Sequence, residues 1–77
     1  MNYQLKVISD EIVGVVKIHE DCQYNHIVAD KVIVDENVTV RLFGSVKDLV
    51  VKKGAKLFLH GIVHGSIKNK GQIVLFG

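Results

Sequence analysis

Gly44-Ser45-Val46-Lys47-Asp48-Leu49-Val50-Val51-Lys52-Lys53-Gly54 returns 17 residues later as Gly61-Ile62-Val63-His64-Gly65-Ser66-Ile67-Lys68-Asn69-Lys70-Gly71, and Gly77 closes a third, partial copy. A fixed period of this size marks a solenoid, in which each unit buries its apolar face only against its neighbours. The repeat extends backward. Ile12, Ala29, Val46 and Val63 keep the same spacing, as do Val16, Ile33, Val50 and Ile67, and both series are apolar or small. The next position in register reads Glu20, Asn37, Gly54 and Gly71. Asn and Gly tolerate the left-handed backbone of a corner, so Gly54 and Gly71 are expected to hold positive φ.

The other half of each unit gives Val7, Tyr24, Val40, Leu57 and Ile73 when spacings of 17 and 16 alternate, with Ser9, His26, Leu42, Leu59 and Leu75 as the neighbouring series. Val38-Thr39-Val40-Arg41-Leu42 and Leu57-Phe58-Leu59 alternate with period two, which is a strand pattern with one set of side chains inward. Val, Ile, Thr and Phe dominate these runs and glycines punctuate them too often for helices. The expected fold is therefore all-β: a single-stranded parallel β-helix of four to five rungs, forming one domain over 1–77. Residues 1–20 form a degenerate first rung or a cap, and 21–77 hold the clearer repeats.

A chain of 77 residues is too short for a large globular core, so regularity or assembly must stabilise it. Pro is absent, which leaves every backbone N–H available for a ladder. Ten basic and eight acidic residues give a formal charge of +2 without a basic run, which argues against nucleic acid as a partner. Lys47, Lys52, Lys53, Lys56, Lys68 and Lys70 cluster at turns, where a solvated sheet edge carries charge. The lone Cys22 excludes an intrachain disulfide, and the absence of a signal peptide or membrane-length apolar run points to the cytoplasm.

No motif names a substrate. His60 and His64 lie about 13 Å apart on an extended strand, too far to share one ion, so neither metal nor cofactor is expected. His26 falls inward by register. Ser45 and Ser66 stand beside corner glycines without the strand–turn–helix context of a nucleophile elbow. Cys22 aligns with apolar Leu5 and Val38 and reads as buried and inert. Asp10 and Glu11, Glu20 and Asp21, and Asp35 and Glu36 are paired carboxylates at turns, with no legible pocket. No residue is assigned a catalytic role, and an enzyme is not expected.

The Gly-x-Val motifs, the Lys-Gly and Asn-Lys-Gly corners and the apolar alternation between Gly44 and Gly77 resemble the β-helical domain of bactofilins, the polymer-forming bacterial cytoskeletal proteins. This chain has about half the rungs of that family's core and lacks its flexible tails. The resemblance implies self-association of β-helices in a bacterial cytoplasm.

The outward positions converge on the same conclusion. They form the series Ile8, Asn25, Arg41, Phe58, Val74 and the series Asp10, Ile27, Phe43, His60, Phe76. Toward the C-terminus these become an aromatic-rich patch of Phe43, Phe58, His60, Val74 and Phe76, which a monomer rarely leaves wet. The expected function is structural. The chain associates with itself, as a dimer or higher oligomer, through this patch and the Gln72–Phe76 end rung, with two-fold pairing as the commonest geometry. The alternative is a small binding module, such as an immunity or adaptor protein, that offers the patch to another polypeptide.

Overall fold

Six strands build the computed structural model, which describes residues 5–76: β1 (Lys6–Ile18), β2 (Cys22–Val34), β3 (Thr39–Val51), β4 (Lys56–Val63), β5 (Ile67–Asn69) and β6 (Gln72–Leu75). Gly77 and residues 1–4 of the degenerate first turn lie outside the described residues. All strand pairs are parallel and stack in chain order, β1-β2-β3-β4-β6, while β5 continues the fourth coil along the second half of β3. The fold is a parallel β-solenoid of about four turns. No helix occurs among the described residues, and none therefore is long and apolar enough to cross a membrane.

Coil spacing averages 17 residues but is not constant, and the variation decides which side chains face inward. The column Val16, Val32, Leu49, Ile67 has spacings of 16, 17 and 18. A strict 17 therefore starts and ends on the right residues but slips by one between them. Ile33 and Val50, expected inside, are half-buried and belong to the outward column Lys17, Ile33, Val50, Lys68. Their neighbours Val32, Val34, Leu49 and Val51 are the core residues. In the same way Ala29, Val46 and Val63 do stack, but Gly14 stands at the head of their column and Ile12 opposes Ile27.

The first two coils depart further because the ladder shifts register between Ile8 and Glu11, between Gly14 and Val15, and between Tyr24 and Ile27. Each shift inserts or skips a residue and so exchanges faces relative to the neighbouring coil, and between β1 and β2 the second shift undoes the first. The inward columns thus run Cys22, Val40, Leu57, Ile73 and Ile8, Tyr24, Leu42, Leu59, Leu75. Val7 faces outward at 55% exposure, opposite Gln23, and Ser9 and His26 are exposed instead of inward. Ile27, expected outside, is fully buried. Its column continues as Gly44 and Gly61, not as Phe43 and His60.

In that glycine column the coils approach most tightly backbone to backbone. Gly44 has φ +138°, and a Cβ there would run into the backbone oxygen of Ile27, while a Cβ at Gly61 would run into the backbone oxygen of Gly44. No side chain can move aside to relieve either contact, so only Gly lets the coils close to ladder distance. At the opposite turn Asn37 and Gly54 hold positive φ, 60° and 78°. Gly71 does not. Its need for Gly comes from the backbone oxygen of Ala55, which a Cβ would meet.

The core is a dry stack of Val, Leu, Ile, Ala and one Cys, and none of the buried described residues is polar or charged. Cross-coil ties sit on the outside. Asp35 pairs with His19 of the previous coil and Lys52 of the next, each at 3.5 Å. Asp48 accepts hydrogen bonds from the Ser66 N–H and hydroxyl at 3.0 and 2.9 Å.

Candidate functional site

The column of Ile12, Ile27, Gly44 and Gly61 divides each coil into a first face, before it, and a second face, after it. Outward residues two apart on one strand and stacked on the next form ladders, and the aromatic residues of the last coils do this on the first face. Arg41, Phe58 and Val74 form one ladder, and Phe43 and His60 form the adjacent one, with Phe76 packed next on His60. The His60 ring lies between Phe43 and Phe76, with centroids 4.4 and 4.3 Å away and planes within 12° and 6° of parallel. Phe58 packs obliquely on Phe76 at 6.1 Å and sits beneath Arg41 and Lys56, whose cationic atoms stand 5.7 and 5.6 Å from its centroid. These contacts each contribute of the order of 0.5–1 kcal/mol at exposed sites.

All five residues expected in the patch are therefore brought together, but much of their surface is spent on one another. Phe43, Phe58, His60 and Val74 are half-buried, and Phe76 alone is exposed, at 43%. The Arg41 Nε and His60 Nε2 atoms are buried without a hydrogen-bond partner.

Greater exposure occurs at places the period did not single out. Leu75 occupies the inward column of Leu42 and Leu59, yet it is 70% exposed, and Ile67 at the end of the Val32–Leu49 column is 50% exposed. The second face carries Val13, Val28, Ser45 and Ile62 in one outward ladder, with Val13, Val28 and Ile62 at 64, 53 and 65%. The signal for that ladder lies in the sequence. It becomes visible only when Ile62 is aligned with Val28 through Ser45 at 17-residue spacing and then with Val13 at 15.

The titratable groups do not converge. Among the described residues no three His, Cys, Asp or Glu side chains gather where they could hold a metal ion. His64 is exposed just beyond β4, and Ser66 is engaged with Asp48. Ser45 sits half-buried on the second-face ladder. Cys22 is buried, with Tyr24 as its side-chain hydrogen-bond neighbour; it opposes Val40 rather than Val38, and burial raises its thiol pKa. Tyr24 is pushed up to about 12, first by burial and then by Cys22. The Asp35 carboxyl is held below its ordinary value by the Glu36 N–H and then by His19 and Lys52, and the Asp48 carboxyl by Ser66.

No family model, curated protein or solved structure matches the chain. The likeness to bactofilins thus rests on the repeat and on the parallel β-solenoid itself.

Proposed function

We propose that this chain is a structural, self-assembling β-solenoid of bactofilin-like character, without catalytic activity, that associates through its C-terminal end coil and the adjoining aromatic ladder. The observation that carries this reading is the exposure of the inward columns at that end. Leu75 and Ile67 end two inward columns and are 70% and 50% exposed, and Ile73 and Val63 are half-buried. β6 pairs β4 on one side only, so its other edge offers free N–H and C=O groups to a further strand. Phe76 adjoins the same edge. A second copy placed there covers the columns, the edge and the ring together.

Sedimentation velocity across a concentration series tests the reading. The unmodified chain should show a concentration-dependent oligomer. Leu75→Lys with Phe76→Lys should shift it to monomer with an unchanged β-sheet spectrum, because both positions are exposed in the single chain. A strictly monomeric unmodified chain at millimolar concentration would refute self-assembly.

A second reading has its own observation. The ladder of Val13, Val28 and Ile62 lies along the side of the solenoid, where an end-on contact leaves it uncovered. It suits an adaptor-like module that binds another polypeptide. Light scattering separates the two by stoichiometry, since this module needs no copy of itself.

A further inference from the structure

Self-association could bring two C-terminal ends together or set one copy's C-terminal end on the next copy's N-terminal end. The charge distribution separates these. Residues 1–36 carry three basic and seven acidic side chains, and residues 37–77 carry seven basic and one acidic. Because the coils stack in chain order, this difference along the chain becomes a difference along the solenoid axis. The β1–β2 end is acidic and the β4–β6 end is basic.

We infer that the chain associates head to tail, the basic C-terminal end of one copy seating on the acidic N-terminal end of the next. This deepens the self-assembly reading and rests on it. Two equal C-terminal ends would set Lys56, Lys68 and Lys70 of the last coil against three more positive charges, whereas the head-to-tail contact sets them against a first coil in which Asp10, Glu11, Glu20 and Asp21 outnumber Lys6 and Lys17. Adjacent coils lie about 4.8 Å apart, inside the Debye length of about 8 Å at physiological salt, so these charges act across the contact.

The end groups are also unspent. Among the described residues Asp10 and Glu11 on β1 have no ion-pair partner, nor have Lys68 and Lys70 on the last coil. All four are exposed.

The apolar columns fit the same polarity. Leu75 and Ile8 are the two ends of one inward column, and Ile67 and Val16 are the two ends of another. Head-to-tail stacking continues each column with the residue type it already contains and keeps the new strand pair parallel, like every pair within the chain. A contact between unlike surfaces that repeats along one axis does not close on itself. The assembly is an open, polar stack.

Charge reversal at one end tests the direction. Asp10→Lys with Glu11→Lys should weaken association about tenfold or more at low salt, as should Lys68→Glu with Lys70→Glu, each variant keeping its β-sheet spectrum. Mixing the two variants in equal amounts should restore the oligomer, because every contact in the alternating stack then joins opposite charges. If Asp10→Lys with Glu11→Lys associates as strongly as the unmodified chain, the N-terminal end is not in the contact and the head-to-tail arrangement is overturned while self-assembly stands. If the unmodified chain is monomeric, both fall.

Discussion

Replacing Val51 with Thr, and separately Val50 with Thr, measures the register of the third coil with nearly constant shape. The two positions are neighbours on β3, but Val51 is fully buried in the inward stack while Val50 is half-buried on the outward column. Val and Thr share β-branching and strand propensity, so the swap changes little except one methyl to a hydroxyl. At Val51 that hydroxyl enters a core with no buried polar group to receive it, and burial without a partner costs about 1–3 kcal/mol. At Val50 the hydroxyl meets solvent, and the change should stay within about 0.5 kcal/mol. In a domain of this size 1 kcal/mol moves Tm by roughly 4–8 °C, so Val51→Thr should melt on the order of 10 °C lower and Val50→Thr should be nearly silent. Circular dichroism melts at one fixed protein concentration read the difference, since association makes Tm concentration-dependent. Equal losses at the two positions, or a larger loss at Val50, would show that the inward column follows the strict 17-residue spacing and that the observed slip is wrong.

Gly61→Ala should destabilise the domain by about 1–3 kcal/mol in urea titration, since the added Cβ meets the Gly44 backbone oxygen rather than a movable side chain. Gly44→Ala should cost more, because positive φ adds of the order of 1–3 kcal/mol to its own clash. At Gly71, Asn and Val should be comparably harmful, as both bring a Cβ toward the Ala55 oxygen, and an Asn variant as stable as the unmodified protein would remove that argument. Cys22 should resist a thiol reagent at neutral pH and react at the rate of unfolding, because it is buried and its pKa is raised. Asp35 and Asp48 have lowered folded pKa values, so their stabilising contribution is complete above the ordinary Asp value near 3.9 and fades as pH falls toward their folded values. Asp48→Asn should flatten the acid limb of a pH–stability curve, and an unchanged limb would exclude its role.

The architecture was legible because the third and fourth coils are nearly regular. Val40, Leu42, Leu57 and Leu59 alternate with polar or aromatic neighbours, and they occupy the inward columns as the alternation requires. Legibility failed where coil length changed. Nothing local in Val32-Ile33-Val34 or Leu49-Val50-Val51 says which of three apolar residues faces out, since each run is apolar throughout. The decision comes from spacings of 16 and 18 on either side, which a bulge or a longer turn sets and a single sequence does not display. His26 and Ile27 exchanged roles for the same reason: the shift after Tyr24 lies between them and the well-ordered coils.

The candidate surface shows a second limit of sequence reading. Residue type and register correctly place Phe43, Phe58, His60, Val74 and Phe76 together, but they say nothing about how much the rings cover one another. Stacking at close to van der Waals distance removes from solvent the area that would otherwise drive association, so the ladder alone is a weak argument for a partner. Leu75 is the stronger one. Its column identity was readable from Leu42 and Leu59, and among the described residues no coil covers this inward leucine, which is 70% exposed. The stacked rings then act as a stiff wall beside that end. Because the rings already cover one another while Leu75 and Ile67 stay exposed, the end surface favours a contact whose affinity comes from Leu75, Ile67 and the β6 edge over one built on the aromatic ladder itself.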